Sequence, residues 1–503
     1  MKILFVYAEF EKGGFKPISI SLLSSLLKEK NHDVKLFDTS LYSIPIKGRI
    51  NDIEIAEQLA LFPHTKLPVV TQKTINKHFV EAFNETINGY EPDLVAFTST
   101  TLPFIIVKRL IEGMNIKKRP ALAIGGTHVL HCLQEVKEMG CFDYICFGEG
   151  EKTIIPIINH LSRNISSLEI PNTFVKDNNN CYITNERMPL ISDLDELPYY
   201  DWSIYEEYHF WRPYQGNAYK MGDFQTSRGC PYGCLFCFHS KFYDIYKEKK
   251  KVRFYSPKRC VDEMAELSKL YKINFWKMHD SDFFLRSDNQ FIKLMENYKK
   301  FINLPFVCNA NANSISIAKA QAAKNAGCRS ISLGVESGNQ RLRKEVLGKN
   351  TSNESIFEAV AILKDVGIRV CTSNMLGFPE ETEEDIRKTI NFNRKANVDL
   401  AEPTFFFPFK GTVLGDYCYE KGYIKESLSN ELINLRMNYY MNMPQIKRKT
   451  IINLMKTFPL YMNLPQYLDP IIQVAERDDD TGNEIFILLN KVVQNLINIK
   501  NKK

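Results

Sequence analysis

No uninterrupted apolar stretch of about 18 residues occurs in this 503-residue sequence, so no membrane span is expected. The opening MKILFVYAEF carries too short an apolar run before Glu9, Glu11 and Lys12 to act as a secretory signal, and it lacks a small-residue cleavage site. A cytoplasmic location is the expectation. Charge of one sign is not in excess. Lys and Arg number 65 against 59 Asp and Glu, and the net +6 makes no case for nucleic acid. No helix-turn-helix with a basic stripe is visible, and Lys500, Lys502 and Lys503 read as a solvated tail. A disulfide framework is also missing. Twelve cysteines are sparse for this length, and most (Cys132, Cys181, Cys260, Cys308, Cys328, Cys371, Cys418) are scattered as small buried hydrophobes are. The composition, 44% hydrophobic and 25% charged, is that of a globular chain with a sizeable core, and the length asks for two or three domains.

The first half alternates strand and helix. ILFVYA (3–8) is a continuous apolar run, as a strand covered on both faces requires. The loop EFEKGGFKP follows, then ISISLLSSLLKEKNH, whose Ile20, Leu23, Leu26 and Leu27 recur with helical spacing. DVKLFD, DLVAFTST, PALAIGGTH and DYICFG continue the series of strands, with helices between them; residues 45–90 read as polar and helical. The prediction is α/β: a doubly wound, Rossmann-like domain over residues 1–165, whose ligands sit at the carboxyl ends of the strands. A linker over 166–215 includes a hairpin turned by Asp-Asn-Asn-Asn and the extended DLDELPYYDW. Over 216–425 six strand ends (FQTSRG, NFWKMHD, FVCNANAN, SISLGVESG, VCTSNMLGFP, EPTFFFPF) alternate with helices such as SPKRCVDEMAELSKLY. This predicts a partial (β/α)6 barrel with its chemistry at the strands' carboxyl ends. Residues 426–503 read as a helical cap rich in Met437, Tyr439, Tyr440, Met441, Met443, Tyr461 and Met462. With TFFFPF these would suit an apolar ligand (lipid, porphyrin or polyketide) or, equally, a packed barrel floor.

One group of cysteines is not scattered. SRGCPYGCLFCFHS places Cys230, Cys234 and Cys237 on a Gly- and Pro-containing loop after a strand. An iron–sulfur cluster normally takes four Cys, so three local thiolates leave one iron open. Structural zinc would need a fourth ligand, for which His239 stands near. CPYGCLFC resembles the CxxxCxxC signature of radical S-adenosylmethionine (SAM) enzymes, with Phe236 at the aromatic position that packs near adenine in that family. The resemblance implies a [4Fe–4S] cluster on the three cysteines, SAM on the open iron, and a 5′-deoxyadenosyl radical made after one-electron reduction by a flavodoxin or ferredoxin.

Other segments extend the resemblance. GVESG (334–338) is similar to a SAM-contacting strand end and implies Glu336 and Ser337 as contacts, although a helix cap also explains it. MHDSDFF resembles an Asp-Asp-x-Phe element in which only Asp280 carries over, with a cap as the bland alternative. LGFPEETEED has Glu380 where the family has Gly, and Thr382 and Asp385 read as a capping box. FFFPFKGTVLGDYCYEKG resembles a Pro-x-Pro-Gly-Thr element with Lys410 in place of the second Pro.

The first domain resembles the cobalamin-binding domain of B12-dependent radical SAM proteins through EPDLVAFTST, AIGGTH and FDYICFGEGEKT. By position the resemblance implies Thr98, Ser99, Gly125, Gly126, Gly148 and Glu149 around cobalamin; the bland alternative is a set of ordinary βα turns. The Asp-x-His-x-x-Gly motif is absent, and residues 8–18 hold no His, so cobalt would have no histidine beneath it. The leading expectation is methylation of an unactivated carbon through methylcobalamin, with no catalytic side chains beyond the cofactor ligands and with a small-molecule substrate. Alternatives are oxidative cyclisation or rearrangement with the same cofactors, tRNA methylthiolation, and a non-enzymatic cobalamin sensor. Methylthiolation would need further cluster cysteines, for which Cys132, Cys141 and Cys146 do not obviously converge.

Overall fold

The computed structural model describes residues 1–12, 15–44, 59, 61–72, 74–163, 169–246, 251–425 and 438–500. Gly13 and Gly14, residues 45–58, Met437, Lys502 and Lys503 lie outside the described residues.

Strands β1 (Lys2–Tyr7), β2 (Asp33–Asp38), β3 (Leu94–Thr98), β4 (Ala121–Gly125) and β5 (Tyr144–Cys146) pair in parallel in the order β2-β1-β3-β4-β5. Alternate residues of β1 explain the apolar run. Ile3 and Phe5 pack with Ile20, Leu22, Leu27 and Ile157 on one face. Leu4 and Val6 pack with Phe83, Ile106, Leu110 and Val136 on the other. Each set comes from helices on opposite sides, as in a doubly wound sheet. Of the stretch read as helical up to residue 90, the described part holds a 3-10 turn, Val69–Gln72, and the helix Phe79–Tyr90.

The stretch 166–215 was expected as a linker, and the structure corrects this. Its hairpin, β6 (Thr173–Lys176) and β7 (Tyr182–Thr184), pairs antiparallel with β5 and covers the otherwise open edge of the sheet. Its DLDELPYYDW segment buries Leu194, Leu197, Tyr200 and Trp202 in one core that runs from the first sheet into the second. Its last strand, β8 (Trp211–Tyr214), joins the second sheet antiparallel to β9 (Asn217–Phe224).

β10 (Ser227–Arg228) and β11 (Arg253–Phe254) form a small antiparallel pair just beyond β9. The second sheet continues with β12 (Phe275–Met278), β13 (Phe306–Ala310), β14 (Cys328–Glu336), β15 (Arg369–Leu376) and β16 (Leu400–Phe405), in the order β16-β15-β14-β13-β12-β9-β8. From β9 to β16 all neighbours are parallel and follow chain order, which gives the predicted six-stranded partial barrel. One face of each strand (Trp276, Met278, Cys308, Ile331, Leu333, Val370) is buried under helices. The opposite face alternates half-exposed residues: Lys277, Asn309, Ser332, Ser373, Glu402 and Thr404.

The C-terminal segment is helical, with Arg448–Asn463, Asp469–Ala475 and Asp480–Lys500. Tyr439, Met441, Met443 and Tyr461 are buried with Phe405 and Phe406 in a second core, so these side chains form packing rather than a ligand surface. Arg394 pairs with Asp469 at 2.7 Å and Arg387 with Glu476 at 2.6 Å, tying the helical segment to the barrel. Among the described residues no helix is long and apolar enough to cross a membrane.

The capping box is formed. Thr382 and Asp385 exchange side-chain to backbone hydrogen bonds at the start of the helix Glu383–Ala396. Removing the hydroxyl in Thr382→Ala is expected to cost about 1 kcal/mol. It should be read as a lower midpoint in chemical denaturation, with Thr382→Ser restoring it.

Candidate functional site

The cysteine loop leaves the β10 end and turns into the helix Phe238–Tyr246. Two backbone bonds strap it: Leu235 N–H donates to Leu347 O at 3.0 Å, and Leu414 N–H donates to Leu235 O at 3.0 Å. Cys237 N–H donates back to Cys234 O at 3.1 Å, closing a turn that brings the last two cysteines to one side. Cys230, Cys234 and Cys237 are half-buried and free of disulfides. Burial pushes all three thiols up, Cys230 to about 11; neighbouring cysteines add to the rise at Cys230 and Cys234, and Glu336 adds to it at Cys237. Such thiols become thiolates only with compensating positive charge, which a metal ion supplies. Phe236 is partly buried against the second core.

At the end of β14, Glu336 takes a left-handed backbone (φ 67°), rare for a residue with a side chain. Its carboxylate pairs with Lys349 at 3.0 Å. Both groups act electrostatically on Cys234 and Cys237, so the pair stands beside the cysteine loop. A Cβ at Gly334 would lie 2.5 Å from both Glu336 Oε1 and Lys349 Nζ, which is why a residue without a side chain precedes the pair. Lys349 belongs to no motif the sequence reading used.

Two residues expected at SAM point elsewhere. Asp280 is fully buried and accepts bonds from Thr226 N–H (3.0 Å), Thr226 Oγ1 (2.8 Å) and Ser227 Oγ. It braces the strand end from which the cysteine loop springs. Ser337 is also fully buried, with its Oγ accepting from Asn339 N–H at 3.2 Å, so it shapes the turn after β14. Asp282, which the motif comparison passed over, accepts from Tyr232 OH at 3.1 Å and Ser314 Oγ at 2.8 Å. Burial pushes its carboxyl up to about 6. Tyr232 lies inside CPYGC, so Asp282 touches the cysteine loop directly. His239 Nε2 lies 2.8 Å from Ser281 Oγ.

At the carboxyl ends of the first sheet a cavity of about 140 Å³ is lined by Leu23, Thr98, Gly125, Gly126, Cys146 and Gly148, among others. It opens where β1, β3 and β4 meet, at the change of winding direction. At Gly126 (φ 106°) a Cβ would lie 2.5 Å from Ser99 O, so any other residue there would close the turn's approach. Ser99 is buried and its Oγ donates to Thr100 O at 2.8 Å; it does not line the cavity.

Glu149 was also expected at a ligand, but its carboxylate is fully engaged by protein groups. It accepts from Arg228 (2.9 Å), Arg253 (2.9 and 3.0 Å) and Ile191 N–H (2.7 Å). Arg228 reaches Glu151 as well. Burial opposes the charge on Glu149, yet Arg228 and Arg253 hold its pKa below the ordinary carboxylate value. Arg228 stands two residues before Cys230, so this ion cluster joins the cavity rim to the cysteine loop.

Residues 224–392 match the Radical SAM superfamily. An uncharacterized methyltransferase, PH0819, of Pyrococcus horikoshii is 26% identical over 404 residues, covering 80% of this chain and 78% of that protein. The anaerobic magnesium-protoporphyrin IX monomethyl ester cyclase of Rubrivivax gelatinosus is 26% identical over 344 residues, covering 65% of this chain and 58% of that protein. The cobalamin-dependent SAM radical enzyme OxsB, solved with aqua-cobalamin and SAM bound, superposes with a TM-score of 0.61 at 15% identity, over 99% of this chain and 72% of that one.

Because Glu149 is depressed, its stabilising effect is complete above the ordinary carboxylate pKa of about 4 and is lost as pH falls through the lower folded value. Glu149→Gln leaves Arg253 without a carboxylate and Arg228 with Glu151 alone, and is expected to destabilise the protein by about 3 kcal/mol at neutral pH. The gap from wild type should narrow on acidification. Equal denaturation midpoints at neutral pH would refute the assignment.

Proposed function

This chain carries a radical SAM domain and is a radical SAM enzyme; from that premise we propose that it methylates an unactivated carbon of a small molecule with the help of cobalamin. The observation that carries this reading is the Glu149–Arg228 contact (2.9 Å). It holds the glycine-lined cavity of the first sheet and the cysteine loop of the second at one shared rim, so that two cofactors would face one chamber.

The residues suit the groups. Cys230, Cys234 and Cys237 would hold three irons of a [4Fe–4S] cluster, and the straps from Leu347 and Leu414 fix the loop against loss of the metal. Phe236 would pack beside the adenine of SAM, and the Glu336–Lys349 pair offers opposite charges to its amino-acid end. Thr98, Gly125, Gly126 and Gly148 would take the nucleotide tail of cobalamin. When bound, the cluster with SAM supplies a 5′-deoxyadenosyl radical, and cobalamin supplies a transferable methyl group. The chain's own part is to bind, align and shield. It offers no histidine to cobalt from residues 8–18, and the buried Asp280 and Asp282 keep the cysteine loop in place. A one-electron reductant, a flavodoxin or ferredoxin, completes the system.

A second reading, oxidative cyclisation or rearrangement with the same cofactors, is favoured by the likeness to the Rubrivivax cyclase. Turnover with methyl-labelled SAM separates the two. Methylation requires label in the product, with S-adenosylhomocysteine and 5′-deoxyadenosine in equal amounts; 5′-deoxyadenosine alone sinks it. Replacing any of Cys230, Cys234 or Cys237 by Ala should abolish the cluster's visible absorbance and SAM cleavage together. Hydroxocobalamin added to anaerobic protein should remain bound through gel filtration.

A further inference from the structure

The inner face of the partial barrel carries an imbalance of charge that the cofactors do not explain. On β9, Asp223 points to that face and is fully buried. Its two oxygens receive Arg212 Nη1 and Nη2 (both 2.6 Å) and Lys16 Nζ (2.8 Å), and His279 Nε2 lies 2.7 Å from Oδ1. Arg212 and Lys16 hold Asp223 well below the usual carboxylate range although burial opposes it. The carboxylate is therefore saturated.

Lys277 is its direct neighbour on β12, in register with Asp223. It is the cation that would be expected to pair with this carboxylate, but the carboxylate is taken. Lys277 Nζ instead donates to the neutral amide Oδ1 of Asn309 at 3.1 Å. Among the described residues no carboxylate pairs with it. Three cations, Lys16, Arg212 and Lys277, thus gather around one anion. Glu402 stands on β16, four strands along the sheet from β12. An ammonium only partly open to water, beside other cations, is favoured by an anion that joins it. The same wall presents Asn309, Ser332 and Ser373, with Ser332 and Ser373 hydroxyls 3.3 Å apart. These are donors suited to an anion's remaining oxygens.

We propose that Lys277 is a substrate-binding residue, and that the substrate is a small molecule whose carboxylate or phosphate seats against Lys277 on the inner wall of the barrel. This deepens the methyl-acceptor reading and rests on it for the barrel being the reaction chamber. Of the two readings the sequence left open for the aromatic and Met residues, an apolar ligand or a packed floor, the burial of Tyr439, Met441, Met443, Tyr461, Phe405 and Phe406 in the second core favours packing.

The test is equilibrium dialysis of cluster-reconstituted, SAM-bound protein against succinate, glycerol 3-phosphate and the neutral isostere succinamide at fixed ionic strength. Wild type should retain one or both anions at least about tenfold better than the amide, and the two anions distinguish a carboxylate from a phosphate substrate. Lys277→Gln should lose that retention by about tenfold, whereas Lys277→Arg, which keeps the cation, should preserve it. Equal retention of amide and anions, retention of neither anion, or anion retention unchanged in Lys277→Gln overturns the proposal. The cluster's visible band and its response to SAM are recorded first. Their absence in wild type refutes the cofactor assignment, whereas the anion comparison judges Lys277.

Discussion

The buried ion cluster of Glu149, Glu151, Arg228 and Arg253 is the constraint on which the arrangement of the two sheets depends. Two parallel sheets each direct their carboxyl ends toward solvent, and nothing in their separate folding makes those ends meet. Here a carboxylate from the end of β5 is satisfied only by guanidinium groups of β10 and β11 and by the backbone of Ile191. Charges taken out of water are expensive unless every partner is in place. A docking shifted by a few ångströms would strand at least one of them. The cluster therefore acts as a register: only one relative placement of cavity rim and cysteine loop satisfies it.

The same reasoning explains the carboxylates beneath the cysteine loop. Asp280 gathers Thr226 and Ser227 just before the loop, and Asp282 gathers Tyr232 within it. Both are buried, and both lie immediately after β12, the neighbour of β9. A loop that must hold three thiols in fixed positions cannot draw rigidity from its own glycines. It draws it from side chains of the next strand, whose geometry the sheet already sets. Tyr246, at the far end of the following helix, closes the circuit, as Glu149 N–H donates to its hydroxyl at 3.3 Å.

What was legible in the sequence is what repeats or lies close in the chain. Apolar runs such as ILFVYA and DLVAFTST revealed strands because both faces of those strands are covered. The capping box at Thr382 was legible because its partners are three residues apart. Glu380 stands where the resemblance leads one to expect Gly, and its backbone is left-handed (φ 66°), so the family's Gly and this chain's Glu answer to the same turn. Groups whose meaning depends on a distant partner were illegible. Glu149 looked like a ligand contact because its partners lie 79 and 104 residues away. Asp280 sits in a motif next to the site but turns its carboxylate inward. Lys349 and Lys277 match no pattern at all, and their places emerge only when strands far apart in sequence are laid side by side. The stretch 166–215 failed for a related reason: a hairpin and a few aromatic residues read as a tether until an open sheet edge and a core need them.

The first loop brings these threads together. Residues 8–18 lack the histidine that a cobalt-ligating domain would place there, and they do something else instead. Phe15, half exposed, lies 4.3 Å from the guanidinium of Arg212 and 5.1 Å from the ring of His279, while Lys16 is buried against Asp223. Phe15 and Lys16, next to the cavity side of the first sheet in the chain, are thus committed to the wall of the second. A histidine in place of Phe15 would remove the aromatic cover of Arg212, and one in place of Lys16 would remove a partner of Asp223. The seating of Phe15 over Arg212 and of Lys16 on Asp223 thus sets part of the charge pattern of the barrel wall.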